Sequence, residues 1–115
     1  MQTIVTTASY FQAPRGDVTV LVATGAMAEL VAGSGNDTLI SGGGLTQMFG
    51  GSGLDQFDVS ANGVTNISGF HHGDHIQVPY GSSLLDARGT TEILLHHQVI
   101  GFVTEHITHH DLLFA

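Results

Sequence analysis

The chain of 115 residues predicts an all-β fold: a short right-handed parallel β-roll, a nonapeptide solenoid of about two to three turns, capped by antiparallel strands. Three observations carry this expectation. The segments AGSGNDTLI, SGGGLTQMF and GGSGLDQFD, residues 32–58, follow one another with glycine in the second and fourth columns and a large apolar residue in the eighth. Leu21 and Leu30 fall in phase with Leu39, Met48 and Phe57, so the apolar column runs back beyond the glycines. A period of nine fits neither an amphipathic helix nor simple alternation, but it fits a glycine-bearing turn of six residues followed by a strand of three.

Taken in order, residues 1–22 are expected to supply N-terminal cap strands, around Ile4-Val5 and Val18–Val22, and residues 23–58 the repeats. In a strand such as Thr38-Leu39-Ile40 the central side chain points inward and its neighbours outward. Each turn reverses the chain, so two nonapeptides complete one circuit and strands eighteen residues apart become parallel neighbours. Leu21, Leu39 and Phe57 then line one sheet, with Leu30 and Met48 facing them from the other. Residues 59–115 are expected to close the far end with short antiparallel strands near 66–70, 75–78, 91–96, 99–103 and 111–114, all within one domain.

The sixth column reads Asp37, Thr46, Asp55. The two-nonapeptide circuit puts both acids on one edge and Thr46 on the opposite edge, beneath Ala28. Carboxylates stacked about 4.8 Å apart repel unless a cation lies between them, and a Ca²⁺–oxygen distance of about 2.4 Å is half that spacing. The glycines are expected to give the turns conformations closed to other residues. They would aim the carbonyls of Ala32, Gly33, Ser34 and Gly35, and of Gly50, Gly51, Ser52 and Gly53, at the gap. Calcium suits such a hard, neutral-oxygen-rich shell better than magnesium, which demands tighter octahedral geometry.

Composition narrows the function further. Ten acidic residues against two arginines give a formal charge of −8, which repels phosphate backbones and anionic lipid and argues against nucleic acid as a partner. Without cysteine, ligands are restricted to oxygens and histidines. No apolar run approaches the ~20 residues of a membrane-spanning helix, so no membrane insertion is expected. The start, MQTIVTTASYFQAP, has neither the basic region nor the unbroken apolar region of a cleavable signal peptide. There is no G-x-S-x-G, P-loop or G-x-G-x-x-G, and HHGDH (71–75) and HITHH (106–110) do not make the H-E-x-x-H of a zinc protease. On strands, His71 and His72 would point to opposite faces, as would His96 and His97. Asp17, Asp58, Asp74, Asp86, Glu29, Glu92 and Glu105 form no spaced pair suggesting acid–base catalysis, and no enzyme is expected.

AGSGNDTLI and GGSGLDQFD resemble the G-G-x-G-x-D-x-U-x nonapeptide of the RTX, or haemolysin-type, calcium-binding proteins. ANGVTNISGFHHGDHIQVP is similar to the segment after the last repeat in serralysin-like C-terminal domains, and VIGFVTEHITHHDLLFA to their closing strands. Asp111, Leu112, Leu113, Phe114 and Ala115 resemble the acid-plus-apolar tail of type I secretion substrates. The resemblance implies a non-catalytic extracellular module, exported by type I secretion machinery without a cleavable signal, that folds on calcium. Because SGGGLTQMF lacks the acid and ATGAMAELV has almost no repeat chemistry, one ion is expected rather than a row of them. The repeat modules of alginate epimerases resemble this roll too, which makes a polysaccharide- or surface-binding module the alternative; its aromatic or basic candidates are Tyr10, Phe11, Tyr80 and Arg88. A histidine-metal enzyme is the further rival.

Overall fold

The computed structural model describes residues 2–6, 10–12, 19–24, 27–71, 73–87, 89–105 and 107–114. Its strands are β1 (Gln2–Thr6), β2 (Phe11–Gln12), β3 (Thr19–Ala23), β4 (Met27–Val31), β5 (Thr38–Ile40), β6 (Leu45–Phe49) and β7 (Gln56–Asp58). They continue with β8 (Val64–Ser68), β9 (His75–Val78), β10 (Ser83–Ala87), β11 (Thr90–Leu95), β12 (Gln98–Val103) and β13 (Leu112–Phe114), the last preceded by a 3₁₀ turn over His109–Asp111. From β1 to β10 successive strands alternate between two facing sheets. The first runs β1-β3-β5-β7-β9-β13 and the second β10-β11-β12-β8-β6-β4-β2. The fold is an all-β parallel solenoid with a few antiparallel strands at one end.

The period of nine sets the register. Leu21 lies opposite Leu39 and Leu39 opposite Phe57 in the first sheet, while Leu30 lies opposite Met48 in the second. All five are fully buried. Ile4, Ile76 and Leu112 extend the first column, and Phe11, Ile67 and Val103 the second. A three-residue strand can send only its centre inward, so Leu39 is buried while Thr38 and Ile40 remain partly exposed.

Three expectations are corrected. The N-terminal strands do not lie across the end of the roll: β1 pairs in parallel with β3 and β2 with β4, forming its first coil. The C-terminal strands are mostly not antiparallel either. β8 continues from β6, β9 from β7, β12 from β8 and β13 from β9, all in parallel. Among the described residues, antiparallel pairing is confined to β10–β11–β12. After β9 the chain crosses to the far edge of the second sheet, runs out and back through β10 and β11, and only then enters the coil position beside β8. Val103 and Leu112 therefore reach their columns two eighteen-residue circuits after Ile67 and Ile76.

The third correction concerns the repeat glycines. Among the described glycines, positive φ occurs at Gly69, Gly73, Gly81 and Gly89, outside the three nonapeptides. Within the repeats the demand is for space. A Cβ on Gly51 would sit 1.9 Å from the carbonyl oxygen of Gly33, and one on Gly53 would sit 2.1 Å from that of Gly35. Coils at β-sheet spacing bring turn backbone against turn backbone, and only a residue without a side chain fits.

Candidate cation-binding edge

Asp37 and Asp55 lie on one edge of the roll, as the eighteen-residue circuit requires, and a third acid, Asp74, continues the row. Each stands at the end of a turn and immediately before a strand of the first sheet, β5, β7 and β9 respectively. All three are at most 3 % exposed. One oxygen of each closes its own turn: the Gly33 N–H donates to Asp37 Oδ2 at 2.7 Å, the Gly51 N–H to Asp55 Oδ2 at 2.9 Å and the His71 N–H to Asp74 Oδ2 at 2.9 Å. The other oxygen of Asp55 and of Asp74 reaches the neighbouring coil. The Asp37 N–H donates to Asp55 Oδ1 at 3.0 Å and the Asp55 N–H to Asp74 Oδ1 at 2.8 Å. Asn36 adds a parallel rung, accepting from the Leu54 N–H at 2.8 Å.

The expected open gap between the first two carboxylates is therefore bridged by a main-chain N–H. The carbonyls of Ala32, Gly33 and Gly35 do face the next coil, packed against Gly51 and Gly53. Ser34 and Ser52 are exposed at the turn tips, and the Gly50 N–H donates to the Ser68 carbonyl at 2.9 Å. Asp74 escaped the sequence reading because it falls nineteen residues after Asp55 rather than eighteen. The signal was present in GFHHGDHIQ, which keeps the acid in the sixth column and an apolar residue, Ile76, in the eighth.

Burial pushes the Asp55 carboxyl above the 3.8 of a free aspartate, and the charges of Asp74 and Asp37 push the same way; the N–H bonds from Asp37 and Gly51 oppose this. Beside the last carboxylate of the row stands His71, whose Nδ1 lies 3.7 Å from Asp74 Oδ2. A carboxylate offers about four acceptor positions. Asp55 and Asp74 each use one per oxygen here, leaving capacity for a cation. Among the described residues no three His, Asp or Glu side chains converge as a metal cluster, so an ion on this edge would draw on main-chain carbonyls as well as carboxylates. Hard oxygen donors of this kind fit calcium.

The opposite edge is neutral. Ala28, Thr46 and Thr65 are aligned there, with the Gly42 N–H donating to Thr46 Oγ1 at 3.3 Å and Thr65 Oγ1 buried without a partner. Other candidates are dispersed. His96 and His97 do not sit on a strand but form the turn between β11 and β12, both with positive φ. Phe11 lies in the first coil, whereas Tyr80 stacks on Phe114 at the other end of the roll, so these aromatics share no track; Arg88 lies outside the described residues. In the tail, Asp111 accepts the Thr108 N–H at 2.9 Å, Leu112 is buried, and Leu113 and Phe114 are exposed on β13. Ala115 lies outside the described residues. No protein family, curated protein or solved structure matches the chain.

Proposed function

We propose that the chain is a non-catalytic calcium-binding β-roll module, held by the edge that carries Asp37, Asp55 and Asp74. One observation carries the reading: three buried carboxylates succeed one another on adjacent coils, and Asp55 and Asp74 keep acceptor positions beyond the N–H bonds they take. Burial and the charges of Asp74 and Asp37 raise the Asp55 carboxyl, and a bound divalent cation would remove that penalty. Asp37 and Asp55 with the carbonyls of Ala32, Gly33 and Gly35 are the residues that would hold it. Calcium supplies charge neutralisation and a cross-link between coils, not chemistry on a substrate. The resemblance of the nonapeptides to RTX repeats points the same way and extends the proposal to an extracellular module exported by type I machinery.

Extracellular calcium modules commonly have Kd values of about 10⁻⁴–10⁻³ M, so tenfold excess stabilises by about 1.4 kcal/mol. Thermal melts in calcium and in chelator are expected to differ accordingly for the wild type and for Thr46→Ala. Asp55→Ala removes the difference. A wild-type melt insensitive to millimolar calcium would overturn the proposal. That result would favour a second reading, a metal-free ladder in which the carboxylates serve only as acceptors for the N–H groups they already bind. Export is tested separately. Leu113 and Phe114 are exposed and Leu112 is not, so replacing the first two by serine alters the tail without emptying the core. An unchanged extracellular yield removes the tail from the proposal.

A further inference from the structure

Beyond the coil shared by β9 and β12, the two sheets end unequally. The first adds β13 alone, whereas the second adds β11 and then β10. β10 therefore stands one strand proud, and beside β13 there is a step one strand wide. The sheets of a roll run in opposite directions because every turn reverses the chain. Two successive antiparallel pairings give β10 the direction of β12, and so opposite to β13. A two-fold axis parallel to the strands exchanges the two sheets while preserving strand direction. It carries β10 of one copy into the step beside β13 of the other, antiparallel, and does the same in return. Each copy's tongue fills its partner's groove, and both open edges of that end are closed.

We propose that this end is a self-association surface, through which two copies of the chain pair by exchanging β10–β13 contacts. Its exposed side chains agree. Of the eight large apolar residues that are exposed among those described, Tyr80 (75 %), Leu85 (51 %), Leu113 (40 %) and Phe114 (39 %) belong to this end. Tyr80 and Phe114 are already stacked, with ring centroids 6.5 Å apart and planes 22° apart. The junction would cover two such pairs, four leucines and two strand edges. Leu85 and Leu113 both lie on outer sheet faces, opposite Glu92 and Gln77, and the two-fold axis brings them to the same surface. The formal charge of −8 on each copy opposes the approach, so added salt favours pairing. The inference is independent of calcium, and its test is run in chelator.

Sedimentation or light scattering over a concentration series is expected to show the mass rising from the 12.0 kDa chain towards twice that value, more readily at high salt. Leu85→Lys and Leu113→Glu each restore the single-chain mass while circular dichroism stays unchanged. An equimolar mixture of the two variants regains the doubled mass, because one junction then sets lysine against glutamate and the other retains both leucines. Leu54→Lys, exposed elsewhere, has no effect. A wild type that keeps the single-chain mass at every concentration overturns the proposal. So does a dimer that survives both variants, one that the mixture fails to restore, or one lost instead in Val5→Lys at the opposite end.

Discussion

The two edges of the roll are built alike and differ in reach. On the acid edge, Asp37 takes the N–H of Gly33; on the neutral edge, Thr46 takes the N–H of Gly42, four residues back in both cases. A threonine hydroxyl has one oxygen and stops there. A carboxylate has two, and the second of Asp55 accepts the N–H of Asp37 in the adjacent coil. The acid edge is therefore tied between coils by its side chains, at the expense of burying like charges in a row. The neutral edge avoids the charge and leaves Thr65 Oγ1 unpartnered. The same local turn thus serves either as a plain reversal or as a rung, according to the number of oxygens in its sixth column.

The comparison is broken most severely by filling a glycine. Gly51→Ala on the acid edge meets the Gly33 carbonyl at 1.9 Å, while Gly43→Ala on the neutral edge meets nothing within 4 Å. Backbone cannot step aside as a flexible side chain can, so Gly51→Ala is expected to destabilise by about 3 kcal/mol or more. Gly43→Ala should stay within about 0.5 kcal/mol of the wild type. Denaturant titration of both variants checks this, and equal effects would mean that the coils are not in contact at Gly51.

Next in size is the acceptor itself. Asp55→Ala in chelator leaves the N–H groups of Asp37 and Gly51 without their acceptor, each worth about 1–3 kcal/mol when buried, whereas Thr46→Ala releases only the Gly42 N–H. The acid-edge variant should therefore lose roughly twice as much as the neutral-edge one, even with no metal present.

The charge on the acid edge gives a smaller, opposite signature. Burial raises the folded-state pKa of Asp55, and also that of Asp58 on the outer face of β7, where the Gln56 amide donates at 2.8 Å and partly offsets the shift. Between the unfolded value near 3.8 and the raised folded value, the folded chain holds more protons than the unfolded one. These groups therefore favour the fold at acid pH, and that advantage is lost as pH rises through the folded value. In chelator the melting temperature should climb as pH is lowered from neutrality towards 4, and calcium should flatten the profile. A melting temperature that only falls on acidification would remove the electrostatic difference between the edges.

The smallest effect lies away from both edges. His96 and His97 hold φ of 54° and 67° in the β11–β12 turn, a region that suits Asn-Gly far better than histidine. His97→Gly is expected to stabilise by up to about 1 kcal/mol, measured as a small rise in melting temperature with calcium dependence unchanged.

How much of this was legible depends on whether information was local. The column Leu21, Leu30, Leu39, Met48, Phe57 and its eighteen-residue pairing could be read directly, because a repeated nonapeptide returns every residue type to the same place in the coil. The shared edge of Asp37 and Asp55, and the separation of Thr46 from it, followed from the same periodicity. One added residue between Met48 and Ile67 shifted the phase and concealed Asp74, although its own nonapeptide kept the acid and the apolar residue. In the first coil the nonapeptide glycine pattern is absent, and nothing in the residues of β1 and β2 says that they stack on β3 and β4 rather than cross the end.

Strand direction towards the C-terminus lay wholly outside the sequence. The apolar runs of β12 and β13 make strands in either orientation, since side-chain alternation is the same in parallel and antiparallel sheets. Their partners, β8 and β9, are two eighteen-residue circuits away, and the choice depends on where the β10–β11 excursion returns the chain. The sequence alone determined the period, the buried column and the acids of the repeats, because those are set by spacing. Only the tertiary structure decided how the roll begins, how it closes, and that the carboxylates bond to the next coil, because those depend on which backbone groups lie within about 3 Å after folding.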